Sequence, residues 1–181
     1  MSPKRKKDEI NMTTLSWVPR LNITKTIPVV PVISTSPAYT AGDQIGGIMI
    51  LPDVVRVDSN TGYAQAELHS VTILDGAKQD AAIDVWFFNQ SPTVGSTDNS
   101  AFAMTPANLA AQCIGAVSIG TSYSDGVTIS TSTDGKNIGM NLQSLTTAAT
   151  PTNLYAVAVI RSAVTYNSTS ALKFLFSFYV D

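Results

Sequence analysis

Residues Ile83 to Pro106, IDVWFFNQSPTVGSTDNSAFAMTP, decide the class of the fold. Ile83, Val85 and Phe87 alternate with Asp84, Trp86 and Phe88, and this period of two places one apolar row on one face of a pleated strand. The strand is mostly core. It stops at Asn89-Gln90-Ser91-Pro92, where Pro92 has no N–H to give a ladder, and a run rich in Gly, Ser, Thr, Asp and Asn follows. Asp98 and Asn99 can hydrogen-bond nearby amides and turn the chain, which leaves Phe102 and Met104 as apolar loop side chains in need of cover. Thr105-Pro106 predicts an N-cap with proline at N1 and a short helical turn through Leu109. Nothing in this unit is chemically reactive.

Outward from it, the same period recurs. Gly46 to Leu51 reads as a strand ended by Pro52, and Val54 to Val57 continues it. Tyr63 to Asp75 reads as a longer strand, but its apolar phase runs Ala64, Ala66, Leu68 and then Val71, Ile73. A bulge near His69-Ser70 absorbs that slip of one residue. Cys113 to Ile119 is predicted as a buried strand, Val127 to Thr133 and Ile138 to Leu142 as a hairpin, and Leu154 to Ile160 as the next strand. The last, Leu172, Phe174, Phe176, Phe178 and Val180, alternates strictly and is predicted to be central. About eight strands with turns at Gly, Pro, Asn and Asp imply an all-β fold, an antiparallel β-sandwich of jelly-roll type.

The chain has 181 residues, 44% of them hydrophobic and only 13% charged, against a usual quarter charged. That length suits one domain with a real core, and the low charge suits β-structure that touches other protein. No apolar run approaches the roughly 18 residues that span a bilayer, and none of signal-peptide type follows the basic start, so the sequence reads as soluble, with no membrane partner. Charge is unevenly placed. Up to Lys25 six cations face two acids, a net +4, whereas the remainder carries five cations and eleven acids, a net −6. Residues 1–37 read as an extended basic arm interrupted by Pro19, Pro28, Pro31 and Pro37, and 38–181 as the sandwich domain. Trp17, Val18, Leu21 and Ile23 are the arm's anchors for a protein partner, with Lys4, Arg5, Lys6, Lys7 and Arg20 supplying charge. A contiguous basic run of four, without aromatics and followed by an acidic body, disfavours nucleic acid as its partner.

Catalytic chemistry is not legible. His69 is the sole histidine, placed mid-strand at the expected bulge, and a structural role outweighs a catalytic one there. Cys113 sits in an apolar strand without a neighbouring cation, the setting of an inert buried thiol. The aspartates fall near turns, where backbone reasons account for them. The glycines form neither a dinucleotide fingerprint nor a phosphate loop. The sequence therefore reads as no enzyme, with no cofactor and no metal site.

Ala41-Gly42-Asp43-Gln44-Ile45-Gly46-Gly47, then Trp86-Phe87-Phe88, Pro92, Thr97 to Thr105 and Asn153-Leu154-Tyr155-Ala156-Val157 together resemble a pattern common in small virion proteins of tailed bacteriophages. The likeness is to capsid decoration, or cement, proteins with a sandwich or jelly-roll body. It covers about Ala41 to Asp181 and omits the arm. It implies a structural protein on the capsid surface of the virion, a homotrimer, partnered by the major capsid protein or another virion protein. Two other readings stand beside it. One is a jelly-roll viral coat protein with a genome-facing basic arm. The other is a carbohydrate-binding sandwich of tail or fibre type, with Trp86, Tyr63 and Tyr123 as stacking candidates.

Overall fold

The strict alternation of Leu172–Val180 produces a strand with one phenylalanine-lined face, and the rest of the first sheet assembles around it. The computed structural model describes residues 23–57, 64–120, 140–144 and 153–180. In chain order they form β1 (Ile23–Val29), β2 (Gln44–Leu51), β3 (Arg56–Val57), β4 (Ala64–Asp75), β5 (Ile83–Phe88), α1 (Pro106–Gln112), β6 (Cys113–Ile119), β7 (Met140–Ser144), β8 (Leu154–Ile160) and β9 (Leu172–Val180). One antiparallel sheet runs β1-β9-β4, with β7 and the two-residue β3 also paired to β4; the other runs β2-β8-β5-β6. Glu67 and Leu68 pair with β9 and with β7 at once, so those two strands flank β4 on opposite edges. The chain passes back and forth between the sheets, and the orders β1-β9-β4-β7 and β2-β8-β5-β6 are those of a jelly roll.

The two sheets share one apolar interior. Leu172, Phe174, Phe176 and Phe178 of β9 and Leu68, Val71 and Ile73 of β4 belong to the same buried cluster as Ile45, Met49 and Leu51 of β2, Ile83, Val85 and Phe87 of β5, and Ala156, Ala158 and Ile160 of β8. Phe87 meets Phe176 edge-on across the layers, with ring centroids 6.0 Å apart and an interplanar angle of 85°, while Phe174 stacks on Phe176 at 6.0 Å and 10°. The expected bulge in β4 is present. The register against β9 shifts between Leu68 and Ser70, so Leu68 and Val71 face the same interior although three residues apart.

Three expectations are corrected. Residues 23–37 are not separate from the domain: β1 pairs with β9 over its full length, and Ile27 and Ile33 are buried in the core. The strand was hidden because Lys25 occupies an apolar phase, its Nζ donating to the carbonyls of Pro52 at 3.0 Å and Asp53 at 3.1 Å, and because Pro28 is tolerated only where β1 is a sheet edge. Next, β6 is an edge strand with most of its residues half-buried or exposed, not a buried one. Finally, α1 continues past Leu109 to Gln112, where Cys113 takes an extended conformation and starts β6 at once, its N–H donating to Leu109 O. Thr105 caps the helix as expected, its Oγ1 accepting from Asn108 N at 3.2 Å. The hairpin read at Ile138–Leu142 has its described strand at Met140–Ser144, and Val127–Thr133 lies outside the described residues.

Because Phe176 touches both Phe87 and Phe174, Phe176→Ala is expected to lower unfolding free energy by about 3–5 kcal/mol, read from urea midpoints. A loss below about 1 kcal/mol would contradict the central place given to this ring.

Candidate functional site

The second sheet is apolar on both faces. In β5, Ile83, Val85 and Phe87 point into the sandwich, which turns Asp84, Trp86 and Phe88 outward, and in β8 Val157 and Val159 likewise point away from the interior. Yet Phe88 and Val157 have no exposure and Val159 only 4%. Residues 89–105 cross this outer face as a strap. Phe102 and Met104, with Ile48, Trp86, Cys113 and Tyr155, pack on Phe88, Val157 and Val159, and the Trp86 and Phe102 rings lie 6.0 Å apart at 31°. The two loop residues that needed cover are themselves the cover.

Hydrogen bonds fix the strap to the segment entering β2. Gln44 N donates to Ser100 O at 2.9 Å, Asn99 N to Gln44 O at 2.9 Å and Phe102 N to Gly42 O at 2.9 Å. Ser96 Oγ donates to Gln44 Oε1 at 2.7 Å, and the Gln44 amide donates to Gly46 O at 2.9 Å. Asn99 holds φ at 57° and its Nδ2 donates to Pro37 O at 2.7 Å. The centre of this lattice is Asp98, whose Oδ1 accepts from Tyr39 Oη at 2.6 Å and Gly46 N at 2.5 Å, and whose Oδ2 accepts from Ser34 Oγ. One carboxylate thus joins the strap, the link after β1 and the start of β2. Gly46 is required there. Its φ is +65°, and a Cβ built on it falls 2.6 Å from Pro31 Cβ.

Three further carboxylates are tied into the fold. Asp84, buried on the outer face, pairs with the exposed Arg161. Asp43 Oδ2 accepts from Thr40 N at 2.6 Å and Thr40 Oγ1 at 2.8 Å, and Asp75 accepts from Ala77, Gln79 and Asp80 N. Tyr39 and Tyr166 meet edge-on at 5.8 Å. Burial, and then the hydrogen bond to Asp98, pushes the Tyr39 hydroxyl well above the usual tyrosine range, while burial and then the Asp75 charge do the same for Tyr166. His69 lies against Tyr179, ring centroids 4.6 Å apart, with a buried Nδ1 that has no partner. Cys113 is half-buried, contrary to the buried thiol expected, with Sγ 3.7 Å from Gly115 O. Among the described residues no group of three or more His, Cys, Asp or Glu converges as a metal site, and no helix is long and apolar enough to cross a membrane. A shallow groove of roughly 480 Å³ opens between the strap limbs and α1, with Val94, Phe102 and Met104 as its apolar side and Thr93, Thr105 and Asn108 as its polar one.

Of the arm residues singled out in the sequence, Lys4, Arg5, Lys6, Lys7, Trp17, Val18, Arg20 and Leu21 lie outside the described residues, and Ile23 opens β1 opposite Val180. Tyr63 and Tyr123 also lie outside them. Trp86 is half-buried beneath Phe102 rather than a free stacking platform. Sequence reasoning missed the exposed Val30, Val32 and Ile50; an apolar residue looks the same in sequence whether a strand turns it inward or out. No protein-family model, curated protein or solved structure matches the chain.

Asp98→Ala strands three donors and is expected to cost about 2–4 kcal/mol of stability, whereas Asp98→Asn, which keeps an acceptor oxygen, costs less; denaturant midpoints compare the two. The tyrosines set an alkaline limit. A folded-state pKa above the unfolded value near 10 gives stability that is complete below pH 10 and lost as pH rises beyond it. Tyr166→Phe is expected to flatten that decline, measured as unfolding free energy between pH 8 and 11.

Proposed function

We propose that this chain is a structural protein of a virion, of the capsid-decoration type, which binds a phage shell through its N-terminal residues and a trimeric body. One observation carries the reading. The stretches on which the resemblance rests, Ala41–Gly47, Trp86–Phe88, Pro92, Thr97–Thr105 and Asn153–Val157, are scattered in sequence but form one contiguous unit, the second sheet with its strap. A pattern arising by chance would not be expected to coincide with a single packed and hydrogen-bonded face. The low charge of the chain fits a surface that meets protein rather than nucleic acid. The strand order also favours a second reading, a coat protein that builds the shell itself, since jelly rolls serve as viral capsid domains.

Shells prepared without this chain separate the two. A decoration protein leaves them closed and binds them from outside when added; a coat protein leaves no shell. Within the first reading, a buried tryptophan anchor is worth about 2 kcal/mol or more, whereas an exposed cation is worth about 1 kcal/mol or less and is screened by salt. Trp17→Ala is then expected to weaken binding at any ionic strength, and replacing Lys4 to Lys7 by Gln chiefly to slow binding at low salt. A genome-facing arm gives the reverse order, with the Gln variant losing affinity and salt dependence. Light scattering of the purified protein is expected to give the mass of a trimer, and a monomer at micromolar concentration contradicts that part of the proposal.

A further inference from the structure

The strap shapes a groove as well as covering the sheet, and the groove has two unlike sides. Phe102 and Met104, which pack on the second sheet, form its apolar side with Val94, while Thr93, Thr105 and Asn108 form its polar side. Its walls are fixed. Gly95 N donates to Ala103 O at 2.8 Å and joins the two strap limbs, Thr93 N donates to Gln112 Oε1 at 2.9 Å, and Thr105 caps α1. The Phe102 ring is backed by Trp86, 6.0 Å away at 31°. Trp86, the aromatic that the sequence offered for stacking, is therefore the support, and Phe102 is the ring that meets the groove.

Gly95 lines this groove without being called for by the backbone. It does not hold a positive φ, and a Cβ built on it meets only Ala103 O at 3.8 Å and Ala103 Cβ at 3.9 Å, which are ordinary contact distances. A side chain at such a position ordinarily adds stability by restricting the unfolded chain. What it would remove here is room, since Ala103 lines the same groove.

The chemistry of the lining narrows what can sit there. No lining residue is charged, and Asp98, the one charged residue between 85 and 124, has its carboxylate engaged by Tyr39, Ser34 and Gly46. An ion would find no counter-charge in the walls, and a wholly apolar molecule would desolvate the hydroxyls and the amide without pairing them. Those groups both give and accept hydrogen bonds. Thr105 Oγ1 accepts from Asn108 N at 3.2 Å and still has a proton to give, and the Asn108 amide carries an acceptor oxygen beside its N–H groups. A volume of roughly 480 Å³ suits a small molecule rather than a protein partner. We infer that the groove binds a neutral saccharide, with the C–H face of a sugar ring on Phe102 and Met104 and its hydroxyls on Thr93, Thr105 and Asn108. A sugar ring is apolar on its face and hydroxylated at its rim, the same division that the groove shows. The inference goes beyond the decoration reading and does not depend on it.

The test is a ligand-observed NMR titration of the purified full-length protein with maltotriose, lactose and chitotriose. Sialyllactose serves as the acidic counterpart of lactose, and glycerol as a hydroxylated solute without a ring. At least one neutral oligosaccharide is expected to bind with a dissociation constant of about 1 mM or below. Gly95→Leu is expected to weaken that binding by about tenfold or more while the urea midpoint stays level or rises, a pairing that a merely structural glycine would not give. Phe102→Leu keeps an apolar cover on the sheet but removes the ring, and it is expected to weaken binding by about tenfold. Should that variant misfold, Asn108→Ala replaces it, with a loss of about fivefold expected. Thr26→Ala, on the outer face of the first sheet, is expected to bind as the parent does. The inference is overturned by any of four results: no neutral sugar bound at about 10 mM, an equal response to glycerol, tighter binding of sialyllactose than of lactose, or a folded Gly95→Leu variant that binds like the parent. Shell binding is measured apart from this, so either reading can fail while the other stands.

Discussion

Strand β8 is buried on both sides, and the rest of the molecule answers that constraint. Ala156, Ala158 and Ile160 face the phenylalanines of β9 and their neighbours, while Val157 and Val159 face away into what would otherwise be water. A sheet apolar on both faces must be covered on both. The first cover is the other sheet, and the second is a strap drawn from the link between β5 and α1. The strap has little regular structure, so its backbone groups find partners elsewhere, in the Gly42–Gln44 segment, while its Asp98 carboxylate accepts the Gly46 N–H. Hydrophobic burial thus dictates where the strap lies, and hydrogen bonds dictate its path.

Much of the fold was legible because period-two alternation survives wherever one face of a strand meets the core. β5 and β9 are plain for that reason, and the slip in β4 announced its bulge, since Leu68 and Val71 can share a face only if one residue is set aside. β1 was not legible. Its inward phase includes Lys25, which satisfies the Pro52 turn, and it contains Pro28, which an edge strand tolerates. β6 reads as a buried strand because Ile114, Val117 and Ile119 are apolar, yet strand position in a sheet is a matter of topology that composition does not encode. For the site, Asp98 was visible only as a turn former. That it gathers Tyr39, Ser34 and Gly46 depends on contacts across more than fifty residues, for which local sequence carries no signal.

The two outer faces of the sandwich are chemically unlike. The second sheet carries the strap and its apolar cluster. The first presents Thr24, Thr26 and Ser177, with Thr26 and Ser177 hydroxyls 2.8 Å apart, between Lys173 and Glu67. Such a face is content with water.

Ile23 and Val180 are partners in the β1–β9 ladder, so the two ends of the jelly roll emerge side by side. A polypeptide joined directly before Ile23 or directly after Val180 starts from one spot, near the Pro52 turn. For anyone engineering this chain as a carrier, a join at Ile23 and a join at Val180 differ in the order of the parts but not in location. Cargo meant to stand clear of these paired ends belongs instead in the exposed Asn167–Ser170 turn, which precedes β9 at its opposite end.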